Sequence, residues 1–482
     1  MKSISALIVS LLLVYFSESH KIELPGFKAE VGGKIQNRRG KYLKSFKENQ
    51  NYATGTSFVF SFLNSHLDRL NTDYTEILSI IITNPSDKDA NVHVASPYAN
   101  FTDFDVTIGA GTSKEVPITP ADIQTDYMDV NNWNVGYIEN KIITVDSSAP
   151  ILLVASNTHS DLDNGDKYVI YPLCQLGKEY HVIADEAQTF WMELMSTNIF
   201  TVIATEDATT VTIPWITNVS GVVINKGQQY TFADYYSVTN IVVSADKPVA
   251  VLSGAICGFG YWNPDYCNHE AVMLYPTDNW DTVIPYFKFR PSDEGEMMVL
   301  IKENGTDLSA DGKVVFSGLT EYNYVIANIT QGIYFTANKP IYGVAVGSEN
   351  SRGEGSPFFV HLPSPKNFIT DSITFATGLS DIETKLVHFV RVVTDIASIG
   401  SITVDNYTPN GLLYIRMGRS TYYFRDVLVQ TGQHTVSAPD GVAFSVTVYG
   451  FGNDREYAFV PGIQLQELCR AEDAPKERKA LP

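Results

Sequence analysis

The segment IVVSADKPVAVLSG, residues 241–254, contains two apolar runs separated by a polar corner that ends at Pro248. Proline has no backbone N–H to give to a sheet, so it suits a turn or the first residue of a strand. The pattern therefore predicts a strand, a corner and a second strand. It recurs around Pro150, Pro340 and, more loosely, Pro439, at spacings of 98, 92 and 99 residues (248−150, 340−248 and 439−340). A repeated spacing of this size predicts repeated structural units.

The chain from Gly55 onward has the pattern of β-structure. Apolar and polar residues alternate with period two in segments such as 199–205 and 444–449, and this alternation is typical of half-buried strands. Asn-Gly and Asp-Gly pairs, as at Asn304 and Asp311, supply turn signals between such segments. Since no long segment combines helical periodicity with caps, we predict an all-β fold.

A second recurring element is a strand that ends in proline. It opens the second, third and fourth repeats, at Pro172, Pro276 and Pro363, and returns once more at Pro461, whereas the first repeat lacks it. The C-terminus thus supplies the strand that the first repeat is missing, as in a ring closed by overlapping ends. We predict four β repeats of about 95 residues in a propeller-like ring closed by the C-terminal strand. Tandem β-sandwiches are the alternative, because about seven strands in about 100 residues is also sandwich-sized.

The N-terminus has the pattern of a secretory signal. Met1 and Lys2 precede an apolar run from Ile4 to Phe16, which is too short to span a membrane, and small residues follow it. We therefore predict a secreted, extracellular protein without a membrane span. The predicted boundaries are a signal peptide at 1–19, a leader or linker at 20–54, a β-repeat domain at 55–465 (repeats 55–160, 168–256, 270–348 and 357–452, closing strand 456–465) and a tail at 466–482.

Charge and motifs exclude several classes of function. The formal net charge of −20 argues against binding of nucleic acid, which requires a basic surface. The chain has no G-x-S-x-G, P-loop or G-x-G-x-x-G motif. His269 and Glu270 begin like a zinc-protease helix, but the second histidine is missing. We predict that the protein is not an enzyme and has no cofactor.

The cysteines and glycosylation motifs fit an oxidising compartment. Of the four cysteines, Cys257 and Cys267 enclose a short loop that we predict to be closed by a disulfide. Cys174 and Cys469 could then pair by elimination, and two free buried thiols are the alternative. Five N-x-S/T motifs predict N-glycosylation, at Asn100, Asn218, Asn304, Asn328 and Asn406.

Two short loops carry candidate ligand-binding residues. Tyr261, Trp262 and Tyr266 lie in the cysteine loop and could form an aromatic binding surface, or could instead pack over the disulfide. The other loop contains Asp161, Asp163 and Asp166 around a glycine. It is rich enough in oxygen for Ca²⁺ but lacks EF-hand spacing, so a solvated acidic turn is the alternative and no metal is predicted.

Several segments resemble the IgGFc-binding protein N-terminal domain family. They include LGKEY at 176–180, EDATTVTI at 206–213, SADKPVAVLSG at 244–254 and the CNH segment at 267–269, and the resemblance extends over residues 54–465. Members of this family are secreted or surface proteins. The resemblance implies an extracellular binding or matrix role rather than catalysis.

The combined prediction is a secreted, non-catalytic binding or adhesive protein with a role in barrier defence. Its predicted partners are extracellular glycoproteins, mucins or microbial surfaces. Two alternatives stay open: a structural matrix protein that associates with itself, and a glycan or ester hydrolase that uses carboxylates near Asp161–Asp166 on a β scaffold. Fold analogy alone supports the hydrolase, and a fold does not fix a function.

Overall fold

The computed structural model describes residues 53–65, 75–126, 135–159, 165–184, 198–214, 220–234, 237–258, 268–330, 332–379, 385–411, 414–452 and 455–465. All of these ranges belong to one unit, Asn49–Pro482. The predicted signal peptide, almost all of the predicted leader and the predicted C-terminal tail lie outside the described residues.

The described residues form β-strands, a few single turns of 3₁₀ helix and no α-helix, which confirms the predicted all-β class. The strands are β1 (Gly55–Phe60), β2 (Glu76–Thr83), β3 (Ala90–Ala95), β4 (Phe104–Ile108), β5 (Ser113–Ile118), β6 (Val135–Glu139), β7 (Ile143–His159), β8 (Gly165–Ile170), β9 (Gly177–His181), β10 (Asn198–Ala204), β11 (Thr209–Thr212), β12 (Ser220–Ile224), β13 (Gln229–Asp234), β14 (Val242–Gly258), β15 (Asn268–Met273), β16 (Asp281–Tyr286), β17 (Gly295–Ile301), β18 (Thr306–Ala310), β19 (Lys313–Leu319), β20 (Tyr324–Ile329), β21 (Ile333–Val346), β22 (Phe359–His361), β23 (Ile373–Ala376), β24 (Val387–Asp395), β25 (Thr403–Val404), β26 (Ile415–Arg416), β27 (Tyr422–Val429), β28 (Gln433–Ser437), β29 (Phe444–Gly452) and β30 (Arg455–Phe459). Within the described part of the chain, no helix has the length and apolar character needed to cross a membrane.

The proline-containing segments form the longest strands. Pro150, Pro248 and Pro340 lie inside β7, β14 and β21, so each predicted corner is a register shift within one continuous strand. Asp246 stabilises this part of β14 because its Oδ1 accepts a hydrogen bond from the Thr210 N–H at 2.8 Å. Only in the looser copy, around Pro439, does the chain divide into two strands, β28 and β29.

Each long strand joins two groups of paired strands. The first half of β14 pairs with β9 and β11, and its second half pairs with β10 and β15. The same order recurs on the other two long strands. The first half of β7 pairs with β1 and β3, and its second half pairs with β2 and β8. The first half of β21 pairs with β16 and β18, and its second half pairs with β17 and β22. In the last set, β23 and β25 pair with β28, while β24 and β30 pair with β29. We call these four sets the first to fourth units, in chain order.

Position in the sheet explains the composition of the strands. β10 and β17 each lie between two neighbouring strands, and every one of their residues is buried. Because both faces of β17 are buried, most of this strand is a continuous apolar run, MMVLI at 297–301. β19 lies at the end of its sheet and is largely exposed.

Adjacent units are joined by specific contacts. β6, which precedes the long strand of the first unit, pairs with β13 of the second unit. The Nδ2 group of Asn240 in the second unit donates to the Glu321 carbonyl of the third unit at 2.7 Å. Arg391 in the fourth unit donates through NH2 to the Lys288 carbonyl of the third unit at 2.8 Å. Contacts therefore link each unit to the next along the chain.

The fourth unit also contacts the first. The Gln433 Nε2 group donates to the Gly111 carbonyl at 2.8 Å, and its Oε1 atom accepts a hydrogen bond from the Ser113 hydroxyl at 2.8 Å. β30 packs against β8. The last unit in the chain is thus a neighbour of the first.

Candidate functional site

The strands β8, β15, β22 and β30, which we call the central strands, meet one another. β8 packs against β15 and β30, and β22 packs against the same two strands. Every residue of the central strands is buried. Three of them nevertheless begin with polar or charged side chains, namely Asp166, Lys167, Asn268, His269, Glu270, Arg455 and Glu456. Burial of so many polar groups requires partners for them.

Asn268 links three units through one amide. Its Oδ1 atom accepts a hydrogen bond from the Gly165 N–H at 2.7 Å, and its Nδ2 group donates to the Gly165 carbonyl at 3.2 Å. The same Nδ2 group lies 2.6 Å from the Pro357 carbonyl and 3.1 Å from the Ser356 hydroxyl. Asn268 therefore fixes the start of β15 against the start of β8 and against the chain that leads into β22.

A second network lies beside it. Asn157 Nδ2 lies 3.2 Å from His269 Nε2, and Asn157 Oδ1 accepts from the Ser65 hydroxyl at 3.1 Å and from Gln124 Nε2 at 3.1 Å. His159 Nε2 lies 3.1 Å from the same serine hydroxyl. Burial and the neighbouring His159 lower the pKa of His269 to about 3, so this imidazole is neutral at physiological pH.

His269 is held on its other side as well. Its Nδ1 atom lies 3.1 Å from the Ala255 carbonyl. A carbonyl only accepts hydrogen bonds, so Nδ1 carries the proton and Nε2 accepts from Asn157. Both ring nitrogens of the neutral imidazole are thus used in structural hydrogen bonds.

Two buried carboxyl groups complete the cluster. The Asp166 carboxylate accepts hydrogen bonds from the N–H groups of Lys167 and Ala271, at 2.7 and 3.0 Å. Glu456 Oε2 lies 3.4 Å from the Ser356 N–H. Burial raises the pKa of both carboxyl groups well above the ordinary range, and the nearby Asp166 raises that of Glu456 further.

The amino group of Lys167 lies in the contact between the first and fourth units. It donates to the Thr377 carbonyl at 3.2 Å and lies 4.3 Å from the centre of the Tyr457 ring. A buried ammonium group over an aromatic face is stabilised by a cation–π interaction. We call the residues that make these contacts the polar centre: Ser65, Gln124, Asn157, His159, Asp166, Lys167, Asn268, His269 and Glu456.

The polar centre lies where two connecting segments begin and end. Residues 160–164 connect β7 to β8, and residues 259–267 connect β14 to β15. The hydrogen bonds between Gly165 and Asn268 join the first residues after these two segments. The residues that directly follow the two predicted ligand-binding loops are therefore joined to each other by buried hydrogen bonds.

The predicted ligand-binding residues themselves fall mainly in those segments. Tyr261, Trp262, Tyr266, Asp161 and Asp163 lie outside the described residues. Asp166 is fully buried, and its carboxylate oxygens accept backbone N–H groups. Among the described residues, no group of three or more His, Cys, Asp or Glu side chains is placed to hold a metal ion.

The predicted disulfides and glycans can be placed in part. Cys257 is buried at the end of β14, Cys174 is half-buried in a 3₁₀ turn, and neither is a free thiol. Their predicted partners, Cys267 and Cys469, lie outside the described residues, so the pairing stays a prediction.

The glycosylation motifs at Asn100, Asn304, Asn328 and Asn406 have exposed asparagines, and Asn218 lies outside the described residues.

The sequence interpretation did not identify the polar centre. It considered His269 as the start of an incomplete zinc-protease motif, whereas the structure places His269 against Asn157. A signal was available, because charged residues at the start of β8, β15 and β30 interrupt strands that are otherwise apolar. Buried charge of this kind marks either a functional site or a structural network.

Comparisons with known proteins agree with the resemblance seen in the sequence. The model of a family described as IgGFc binding protein matches residues 166–450, which is more than half of the chain. A search of curated proteins found no match. The matched range begins at Asp166 in the first central strand and ends within β29.

Proposed function

Because this chain belongs to the IgGFc binding protein family, a family of binding domains, we propose that it is a secreted, non-catalytic protein that binds extracellular glycoproteins, mucus or microbial surfaces. The aromatic residues Tyr261, Trp262 and Tyr266 provide the main contact in this proposal, with the acidic loop around Asp161 and Asp163 beside them. A role in barrier defence is part of the same proposal.

One observation carries the proposal. The Gly165 N–H and Asn268 Oδ1 are 2.7 Å apart, and these two residues directly follow the acidic loop and the aromatic loop. Loops that end on one rigid base present their side chains to the same ligand, and rigid support reduces the entropy lost on binding. A disulfide between Cys257 and Cys267 would restrict the aromatic loop further.

The proposal includes a closed arrangement of the four units. The contacts between β30 and β8, and those of Gln433 with Gly111 and Ser113, support a ring in which the fourth unit meets the first. The central strands would line the middle of this ring. A ring of this kind would hold the loops between long and central strands at fixed positions relative to one another.

Binding of the full-length protein, secreted from eukaryotic cells, tests the proposal. Immobilised mucin, a glycan array and whole bacteria are the probes, each with and without EDTA. We expect saturable binding that the joint substitution of Tyr261, Trp262 and Tyr266 by Ala weakens by at least about tenfold, since truncation of a single aromatic hot-spot residue costs about 2 kcal/mol. Tyr322→Ala with Tyr407→Ala is the matched control, because these tyrosines are 52% and 64% exposed and lie on other units.

Each outcome separates the alternatives. Binding that survives EDTA but not the aromatic substitutions supports an aromatic protein surface. Binding lost with EDTA assigns a Ca²⁺ site to the acidic loop. Unchanged binding by the triple variant contradicts the proposed surface, and a lack of binding to every probe, with light scattering that shows large assemblies, favours the self-associating matrix protein.

A further inference from the structure

The four units differ at one equivalent sheet edge. One strand occupies the same place in each unit: β5, β13, β20 and β27. These strands pair with β2, β10, β17 and β24, respectively. Among the described residues, β20 pairs with β17 alone and so ends its sheet. An edge strand has unpaired backbone N–H and C=O groups that can pair with a strand of another molecule.

The three counterparts of β20 have protection that is visible in the structure. β13 is covered by β6 along residues 229–233. β26 pairs with the start of β27, and Arg425 adds a charge just beyond this pairing. β5 ends its sheet, but it carries Lys114, Glu115 and Pro117. Covering strands, charges and proline are the usual means by which proteins prevent pairing between sheet edges.

Within the described ranges, no strand covers the outer edge of β20 from Val325 to Ile329. Its sequence, YVIANI, has no charge, no proline and no glycine. Val325, Ala327 and Ile329 are buried, whereas Ile326 is half-buried and Asn328 is exposed on the opposite face. A six-residue edge with high β-propensity and no charge is the kind of segment that associates with itself.

We propose that an N-linked glycan on Asn328 covers this edge and prevents β20 from pairing with β20 of a second copy. Asn328, Ile329 and Thr330 form a complete N-x-T motif, and Asn328 and Thr330 are exposed. A strand added beside β20 would place its side chains about 4.5–5.5 Å from that of Asn328. A branched glycan is much too large for that space and is strongly solvated, so the modification excludes the added strand.

The experiment removes the glycan in three ways from protein secreted by eukaryotic cells. Asn328→Gln and Thr330→Ala each destroy the motif, and enzymatic deglycosylation leaves the sequence unchanged. Asn328→Lys removes the glycan but introduces a charge at the edge. Asn100→Gln is the matched control, since it removes a predicted glycan from an exposed loop of the first unit. Glycan occupancy is measured by peptide mass spectrometry, and self-association by analytical ultracentrifugation.

We expect occupied Asn328 and a monomer for the unmodified sequence, and the same mass for Asn100→Gln and Asn328→Lys. Asn328→Gln, Thr330→Ala and the deglycosylated protein should associate, with a dimer dissociation constant lowered by at least about tenfold, because several cross-strand pairs form at once. The proposal rests on secretion, which belongs to the proposed function, and occupancy at the other motifs tests secretion separately. Monomeric Asn328→Gln, association of Asn328→Lys, or unoccupied Asn328 while other motifs are occupied would overturn it.

Discussion

Replacement of Asn268 by Asp is a direct test of how the base of the loops is held. The substitution conserves shape and keeps Oδ1, which accepts the Gly165 N–H at 2.7 Å. It replaces the Nδ2 donor by an oxygen. That oxygen would then face the carbonyl oxygens of Gly165 and Pro357, at 3.2 and 2.6 Å in the present structure. Two attractive contacts therefore become repulsive.

The expected penalty follows from these contacts. The Ser356 hydroxyl, 3.1 Å away, can rotate to donate to the new oxygen, but the two carbonyls cannot. A buried acceptor left without a donor costs about 1–3 kcal/mol, so the two together should lower the free energy of unfolding by about 2–6 kcal/mol. We expect the whole penalty at neutral pH, where the new carboxylate is charged.

The penalty should depend on pH with a defined sign. Burial among carbonyls disfavours the charged carboxylate, so its pKa in the folded variant lies above the value of about 3.9 in the unfolded chain. Stability relative to the unsubstituted protein is then greatest below about pH 4 and is lost as pH rises through the folded-state pKa. Protonation restores one donor, which is why the acidic form is favoured.

Urea unfolding of both proteins at several pH values between about 4 and 7.5 measures the difference. Asn240→Asp is the control, because Asn240 also donates to carbonyls between units but lies next to the opposite end of β14. Both variants should lose stability, but only Asn268→Asp should also weaken binding to the loops' ligand. A free energy of unfolding within about 0.5 kcal/mol of the original at pH 7.5, or a penalty that does not shrink toward pH 4, would refute the reasoning.

Two further predictions concern buried charge. Arg391→Met should lower the free energy of unfolding by about 3–5 kcal/mol. The reason is that Asp426, whose carboxylate lies 2.8 Å from Arg391 Nε, stays buried without its partner. Asp426→Leu in the same background should recover part of this loss in urea unfolding, and a double variant as unstable as Arg391→Met would contradict this reason. His269→Gln should reduce the acid sensitivity of the fold. Burial lowers the folded-state pKa of His269 to about 3, below its ordinary value of 6.5, so its contribution is present above about pH 6.5 and is lost as pH falls toward 3. Identical slopes of stability against pH for the two proteins over this interval would count against it.

The parts of the fold that the sequence predicts are those with local causes. Pro150, Pro248 and Pro340 mark the long strands because proline cannot complete a sheet ladder and therefore lies where the partner strands change. The prediction of a corner between two strands was wrong for β14. The residues on both sides of Pro248 keep extended backbone geometry, and their partners change without a break in the strand.

The polar centre could not be predicted in the same way, because its contacts are distant in sequence. Asn268 bonds to Gly165, 103 residues earlier, and to Ser356, 88 residues later. Local periodicity contains no information on such pairs. The order of strands also depends on distant partners: β8 begins the second repeat by its sequence, yet it pairs with β7 of the first unit.

The polar centre has a physical role that apolar packing would not fill. Hydrophobic burial is non-directional, so it distinguishes poorly between one order of the four units and another. The hydrogen bonds between units each join a different pair of polar groups: Asn157 with His269, Asn268 with Pro357, and Lys167 with Thr377. A different order of units would leave these groups buried without partners. Such an error costs several kcal/mol for each charged or polar group. Buried polarity at the meeting point of the units therefore selects one assembly of four similar parts, and the same hydrogen bonds hold the ends of the two loops proposed to bind.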